Sequence, residues 1–375
     1  MTVNASAQRL AVFASFSGQG GVERMLANLA AGFLEAGVSV DLVLARAHGE
    51  HLAAIPQGVR VVYLGTRHTG TALPGLVRYL RENRPAAVLA AKDRAIRVAL
   101  LARRLSGVEI PLVGRLGTTV SAALQGKSRL RKFGWYTGMR LFYPHVDRLV
   151  AVSRGVKDDL LAITGLPPER ITVIRNPVIT PELERLAAEE VAHPWLLKPD
   201  LPVIVGMGRL TRQKGFPDLI AAFARLRQRR PCRLMILGEG GDRERLQGLA
   251  ASLGVDGDVE LTGFLANPYA VLARASLFVL SSLWEGSPNA LTEALALGRP
   301  AVATDCPSGP REILAGGKYG PLVPVGNVAA LAEAMEQTLA RPLPPATLRA
   351  AVADYKVEAS ARRYLEALGL QGSEP

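Results

Sequence analysis

The feature that most constrains this chain is a strand–helix–strand alternation that runs through it twice. Leu10 to Phe16 is an apolar run of strand length, followed by a glycine loop. Val22, Met25, Leu26, Leu29, Ala30 and Phe33 then recur at helical spacing as far as Glu35, and Val38 to Leu44 is apolar again. Such a unit opens a parallel sheet. The alternation runs on to Arg148–Val152, where Ser153 begins a helix, and to Ile171–Ile174. It restarts with strands predicted at Val203–Met207, Arg233–Leu237, Val259–Thr262, Leu277–Leu280, Ala301–Ala303 and Leu322–Val323, and a last clear helix at Val328–Leu339. Between the halves lie Pro177, Pro181, Pro194, Pro199 and Pro202, with room for one short helix around Glu182 to Val191. A chain of 375 residues exceeds one typical core. The predicted fold class is therefore α/β: two Rossmann-like, doubly wound domains facing a central cleft. The expected division is 1–175, a hinge at 176–202, a second domain at 203–345, and a helical tail at 346–375 containing a helix at Val357–Leu368.

The run Glu285-Gly286-Ser287-Pro288-Asn289-Ala290-Leu291-Thr292-Glu293 places two carboxylates eight positions apart. Pro288 suits the first turn of a helix and Ser287 the N-cap before it. Glu285 is then on a strand-to-helix loop and Glu293 about one and a half turns into the helix. The amides of Asn289 and Ala290 would offer an anion site at the helix start. Phosphates in the middle and hydroxyls at both ends suit this pattern, as in a nucleotide diphosphate sugar. A second loop, Gly208-Arg209-Leu210-Thr211-Arg212-Gln213-Lys214-Gly215, follows the strand Val203–Met207 and carries Arg209 and Lys214, a bidentate fork and a point charge suited to a diphosphate.

These residues resemble the retaining glycosyltransferases of family 4, which have the GT-B fold. The resemblance also rests on Gly20-Gly21-Val22-Glu23-Arg24, Asn176-Pro177, the Asp305–Ile313 segment and Leu322-Val323-Pro324-Val325-Gly326. It implies that Gly20 and Gly21 approach the donor diphosphate and that the donor base packs near Phe264 and Leu265. Glu293 would accept from ribose hydroxyls, and Glu285 would contact the sugar ring. It also implies that the tail crosses back onto the first domain. Many relatives carry a histidine near the reacting sugar; the corresponding loop here reads Ala90-Ala91-Lys92-Asp93-Arg94, which makes Asp93 the carboxylate candidate there, with a surface salt bridge to Arg94 or Arg97 as the alternative. The Arg115–Thr119 loop is expected to face the same cleft.

Charge is distributed unevenly. The net charge is +12, and residues 1–175 hold 24 basic against 11 acidic residues. Lys127, Arg129, Arg131, Lys132, Arg140 and Arg148 stand against Asp147 in one stretch, interleaved with Leu130, Phe133, Trp135, Tyr136 and Phe142. Basic and aromatic residues together suit an anionic membrane surface, and with Lys127, Arg129, Arg131 and Lys132 they mark a membrane or acceptor face. No nucleic-acid motif accompanies them, so nucleic acid is not an expected partner. The first loop has Glu23 where a dinucleotide fingerprint needs a third glycine. Asp256-Gly257-Asp258 reads as a turn before a strand. The histidines are scattered and the two cysteines, Cys232 and Cys306, isolated, so neither a metal nor a disulfide is expected. With no signal-peptide core and no long apolar segment, the expected location is the cytoplasm, at the inner face of the membrane.

The reading that follows is a retaining transferase moving sugar from a nucleotide sugar, expected to be a UDP-sugar, to a glycan or lipid-linked acceptor in cell-surface polysaccharide or lipopolysaccharide synthesis, with no metal. The alternatives are a nucleotide-sugar epimerase of the same fold and a catalytically idle sugar-nucleotide-binding protein.

Overall fold

The computed structural model describes residues 8–17, 21–48, 52, 55–197 and 200–370. The chain divides into two compact units, Met1–Pro177 with Lys356–Pro375, and Val178–Tyr355. The first unit holds a sheet of β1 (Arg9–Ser17), β2 (Ser39–His48), β3 (Arg60–Tyr63), β4 (Ala87–Ala91), β5 (Leu112–Leu116), β6 (Arg148–Ala151) and β7 (Ile171–Val173), in the order β3-β2-β1-β4-β5-β6-β7. The second holds β8 (Val203–Met207), β9 (Arg233–Leu237), β10 (Val259–Gly263), β11 (Leu277–Leu280), β12 (Ala301–Thr304) and β13 (Leu322–Val323), in the order β10-β9-β8-β11-β12-β13. All pairings between these strands are parallel. Parallel strands covered on both faces read as continuous apolar runs, and β4, β5, β11 and β12 are buried along their whole length.

Each sheet reverses its strand order once, between β1 and β4 and between β8 and β11. At such a point the two adjoining loops leave in opposite directions and open a crevice at the carboxyl ends of the strands.

The domain boundaries differ from the expected ones in two places. Val178, Leu183 and Leu196 are buried in the second unit's core, so most of the proline-rich stretch is a packed part of that unit. Its helix, Pro181–Ala187, stops short of Val191, because Glu189 and Glu190 would meet the negative end of the helix dipole. The second difference concerns the tail. Helix Pro345–Ala351 packs Leu348 and the following Val352 into the second core, and the return to the first unit begins only at Lys356. Helix Val357–Leu368 then lies on helix Gly21–Glu35. A side chain at Gly32 would stand 2.8 Å from the Ala361 Cβ, so the glycine permits that approach. Tyr364 meets Phe33 edge-on at 6.5 Å.

Candidate active site

The second unit's crevice is built by loops that bind one another across neighbouring strands. In the loop after β8, the Gly208 N–H donates to Leu237 O at 2.9 Å and the Leu210 N–H to Glu239 O at 2.8 Å. On the other side, the Leu283 N–H donates to Gln213 O at 2.8 Å and the Ser281 hydroxyl to Lys214 O at 2.8 Å. Gly215 closes this loop at φ 60°, and a Cβ there would lie 2.1 Å from Ser281 O. Only glycine satisfies both the left-handed backbone and the close approach.

This fixes the site's charged pair. Lys214 Nζ is 2.6 Å from Glu285 Oε1, and the Ser282 hydroxyl donates to the same oxygen at 2.7 Å. Glu285 is 6% exposed, so its charge depends on these donors. The Cys306 thiol nearby is pushed up to about 12, first by burial and then by the Glu285 charge.

The helix carrying the second glutamate spans Asn289–Ala296, and Pro288, not Ser287, is its N-cap. The carbonyl of Pro288 accepts the first helical bonds, from the N–H groups of Leu291 and Thr292 at 3.2 and 3.3 Å. Its extended ψ of 102° puts it just outside the helix. The Asn289 and Ala290 amides therefore precede the helical ladder. Ser308 clamps the loop by donating to Gly286 O at 2.9 Å. Glu293 is 4% exposed and accepts from the Tyr269 hydroxyl at 3.2 Å.

Phe264 and Leu265 follow β10, three strands from β11, and are half-buried. Three strand spacings are roughly 14 Å, an extent that suits a nucleotide with diphosphate and sugar along the carboxyl edge. Arg209 is exposed on the β8 loop, with no side-chain ion pair among the described residues. Asp258 pairs with Arg227 at 2.8 Å beside a short 3-10 turn, which accounts for the Asp256–Asp258 spacing without a ligand.

The first unit differs. Gly20 lies outside the described residues, and Gly21 begins its helix. Asp93 Oδ1 accepts from Arg97 Nε at 3.0 Å and from the buried Tyr143 hydroxyl at 2.8 Å. Its carboxylate is held by these two donors, and the bond to Arg97 is the salt bridge given above as the alternative for this residue. Arg115 is buried, with Nη2 donating to Asn176 Oδ1 at 2.8 Å. Lys127, Arg129 and Arg131 are exposed at the start of helix Arg129–Phe142 and Lys132 is half-buried. The aromatics Trp135, Tyr136 and Phe142 pack on the first unit's core instead of facing out.

Ser282, Tyr269 and Ser308 had no signal as single residues. The nearest signal is the position of Ser281-Ser282 directly after the apolar run of β11, where small hydroxyls line a crevice.

Each half of the chain matches a family model: residues 19–182 that of Glycosyltransferase Family 4, and residues 201–341 that of Glycosyl transferases group 1. The chain is of the group 1/family 4 glycosyltransferase type, with the GT-B fold. It is 33% identical over 199 residues to the N-acetylgalactosamine-N,N'-diacetylbacillosaminyl-diphospho-undecaprenol 4-alpha-N-acetylgalactosaminyltransferase of Campylobacter jejuni, covering 53% of this chain and 52% of that protein. It is 31% identical over 217 residues to the lipopolysaccharide core biosynthesis glycosyltransferase LpsE of Rhizobium meliloti, covering 58% and 61%. These matches span about half the length of the curated relatives. Among solved structures, Anabaena HepE in complex with UDP and glucose has a TM-score of 0.77 at 20% identity, covering 96% of this chain and 99% of that one.

Proposed function

We propose that this chain moves a sugar, with retention at the anomeric carbon, from a nucleotide diphosphate sugar to a glycan or lipid-linked acceptor in cell-surface polysaccharide or lipopolysaccharide synthesis. The observation that carries the reading is the Lys214–Glu285 pair, 2.6 Å apart at the switch point of the second sheet. A diphosphate arriving there gives the ammonium a second anionic partner. Glu285 can then accept hydrogen bonds from sugar hydroxyls. Lys214 and Arg209, with the amides that open helix Asn289–Ala296, hold the charge that develops on the leaving diphosphate. The acceptor hydroxyl attacks the face from which that group departs. Glu293, oriented by Tyr269, takes ribose hydroxyls, and the base lies by Phe264 and Leu265. The donor is a UDP-sugar; HepE, of the same fold, was solved with UDP. No metal is required in this reading.

The acceptor belongs to the first unit. The basic group Lys127, Arg129, Arg131 and Lys132 holds the protein peripherally on the anionic inner face of the membrane. No helix among the described residues is long and apolar enough to cross it.

The test is incubation with a panel of nucleotide sugars and lipid-linked glycan acceptors, with the new linkage read by NMR. A product with the donor's anomeric configuration is expected. An inverted linkage overturns the mechanism; an epimerised nucleotide sugar formed without acceptor, or binding with no product, overturns the transfer.

A further inference from the structure

Helix Arg129–Phe142 turns Trp135, Tyr136 and Phe142 inward, yet leaves Leu130, Phe133 and Leu141 at 81%, 66% and 63% exposure. Their spacings of three and eight residues put all three on one face, a stripe about 16 Å long. Leu141 also borders a groove of about 1160 Å³ between the end of this helix and helix Asp93–Ser106, where apolar Leu100, Leu101, Val108, Ile110 and Phe142 share the lining with charged or titratable residues, Glu109 and His145 among them. The two helices lie close, since a Cβ at Gly138 would be 2.2 Å from Arg97 Nη1. From Ile110 to Val146 the chain has no Asp or Glu and six basic residues, although Glu109 and Asp147, which flank this stretch, both line the groove. Arg103 and Asp147, at the groove's rim, neutralise each other, while Arg104 is exposed beside it. Single exposed apolar residues are ordinary, but three on one helix face, the last of them bordering a groove with apolar walls, are not. A neighbouring protein would need an acidic face to meet this charge. A bilayer supplies the charge and the apolar chain together.

We propose that helix Arg129–Phe142 lies in the plane of an anionic bilayer and that the groove beside it takes an acyl chain of an anionic bilayer lipid. This rests on the peripheral membrane reading above and adds a specific lipid-chain site to it.

The native thiols permit a direct test. Burial pushes Cys232 up to about 11 and Cys306 up to about 12, so both resist labelling at neutral pH. A polarity-sensitive dye is attached to Leu130→Cys, to Leu101→Cys, and to Tyr63→Cys on β3 at the sheet's opposite edge. Each is mixed with phosphatidylglycerol–phosphatidylcholine vesicles carrying brominated chains. Quenching at 130 and 101, with none at 63, is expected. Quenching at 130 alone overturns the groove and leaves the membrane reading standing; quenching at neither overturns both. Equal quenching by pure phosphatidylcholine overturns the requirement for anionic lipid. In unlabelled protein, Leu101→Glu and Leu141→Glu are each expected to weaken vesicle partitioning about tenfold, from loss of a buried leucine. Unchanged partitioning in both overturns the proposal.

Discussion

The two switch points put acidic side chains to opposite uses. In the second unit Glu285 faces Lys214 across loops 71 residues apart in sequence, and the proposed donor brings a diphosphate to the ammonium and hydroxyls to the carboxylate. In the first unit Asp93 is held by Arg97, one helical turn away, and by Tyr143, whose phenol is raised well above its usual range by burial and by the Asp93 charge. In the proposed reading the first carboxylate serves the chemistry and the second serves packing. On that reading, position at the carboxyl end of a strand does not by itself make a residue functional. What matters is whether its partner is another packed element or a group that can let go.

The sharpest way to break this contrast is to remove Lys214. Lys214→Ala is expected to lower kcat for transfer by about 10² or more, because a lost donor to a developing charge costs roughly 2.7–4 kcal/mol. Arg209→Ala is expected to do the same, though Arg209 is exposed before a ligand arrives. Near-normal kcat in both variants removes the diphosphate assignment. A mutant cycle sharpens the point: Lys214→Met with Glu285→Gln is expected to be more stable than the sum of the single losses implies, by about 1–3 kcal/mol, as for neighbours sharing one interaction. Strict additivity in urea unfolding would show that the pair is not coupled.

Gly215→Ala comes next, expected to cost about 2–3 kcal/mol of stability, since it forces a left-handed alanine against Ser281 O. An unchanged urea midpoint would refute the close approach of the two loops. Asp93→Asn is expected to cost about 1–3 kcal/mol while changing transfer only a few-fold. A hundredfold loss of transfer at full stability would return Asp93 to the chemistry. The smallest effect is expected from EDTA, with less than twofold change in rate. Complete loss, restored by Mg²⁺ or Mn²⁺, would show that a metal holds the diphosphate.

Much of the fold was legible because buried parallel strands are short apolar runs with clear ends. Val203–Met207, Arg233–Leu237, Leu277–Leu280 and Leu322–Val323 agree residue for residue with their predicted spans. Helix Val357–Leu368 agrees as well. What escaped depended on partners distant in sequence. The Pro345–Ala351 helix looked like part of a tail because nothing local says that Leu348 completes the second core. Helix Arg129–Phe142 carries apolar residues on every side, so its period did not reveal which face was buried. In the site, the motif's spacing marked Glu285 and Glu293, but their bonds to Lys214, Ser282 and Tyr269 arise only when the loops after β8 and β11 meet and Tyr269 comes up beside them.

The nucleotide sugar is proposed to bind in the Lys214–Glu285 crevice. The direct measurement is thermal unfolding of wild type and Lys214→Ala across a panel of UDP-, GDP- and dTDP-sugars. A ligand at a hundredfold excess over its Kd adds about 2.7 kcal/mol of stability. A clear upward shift of Tm is expected for wild type with a UDP-sugar, and little or none for Lys214→Ala. Equal shifts in both proteins, or none in wild type with any nucleotide sugar, would contradict that placement.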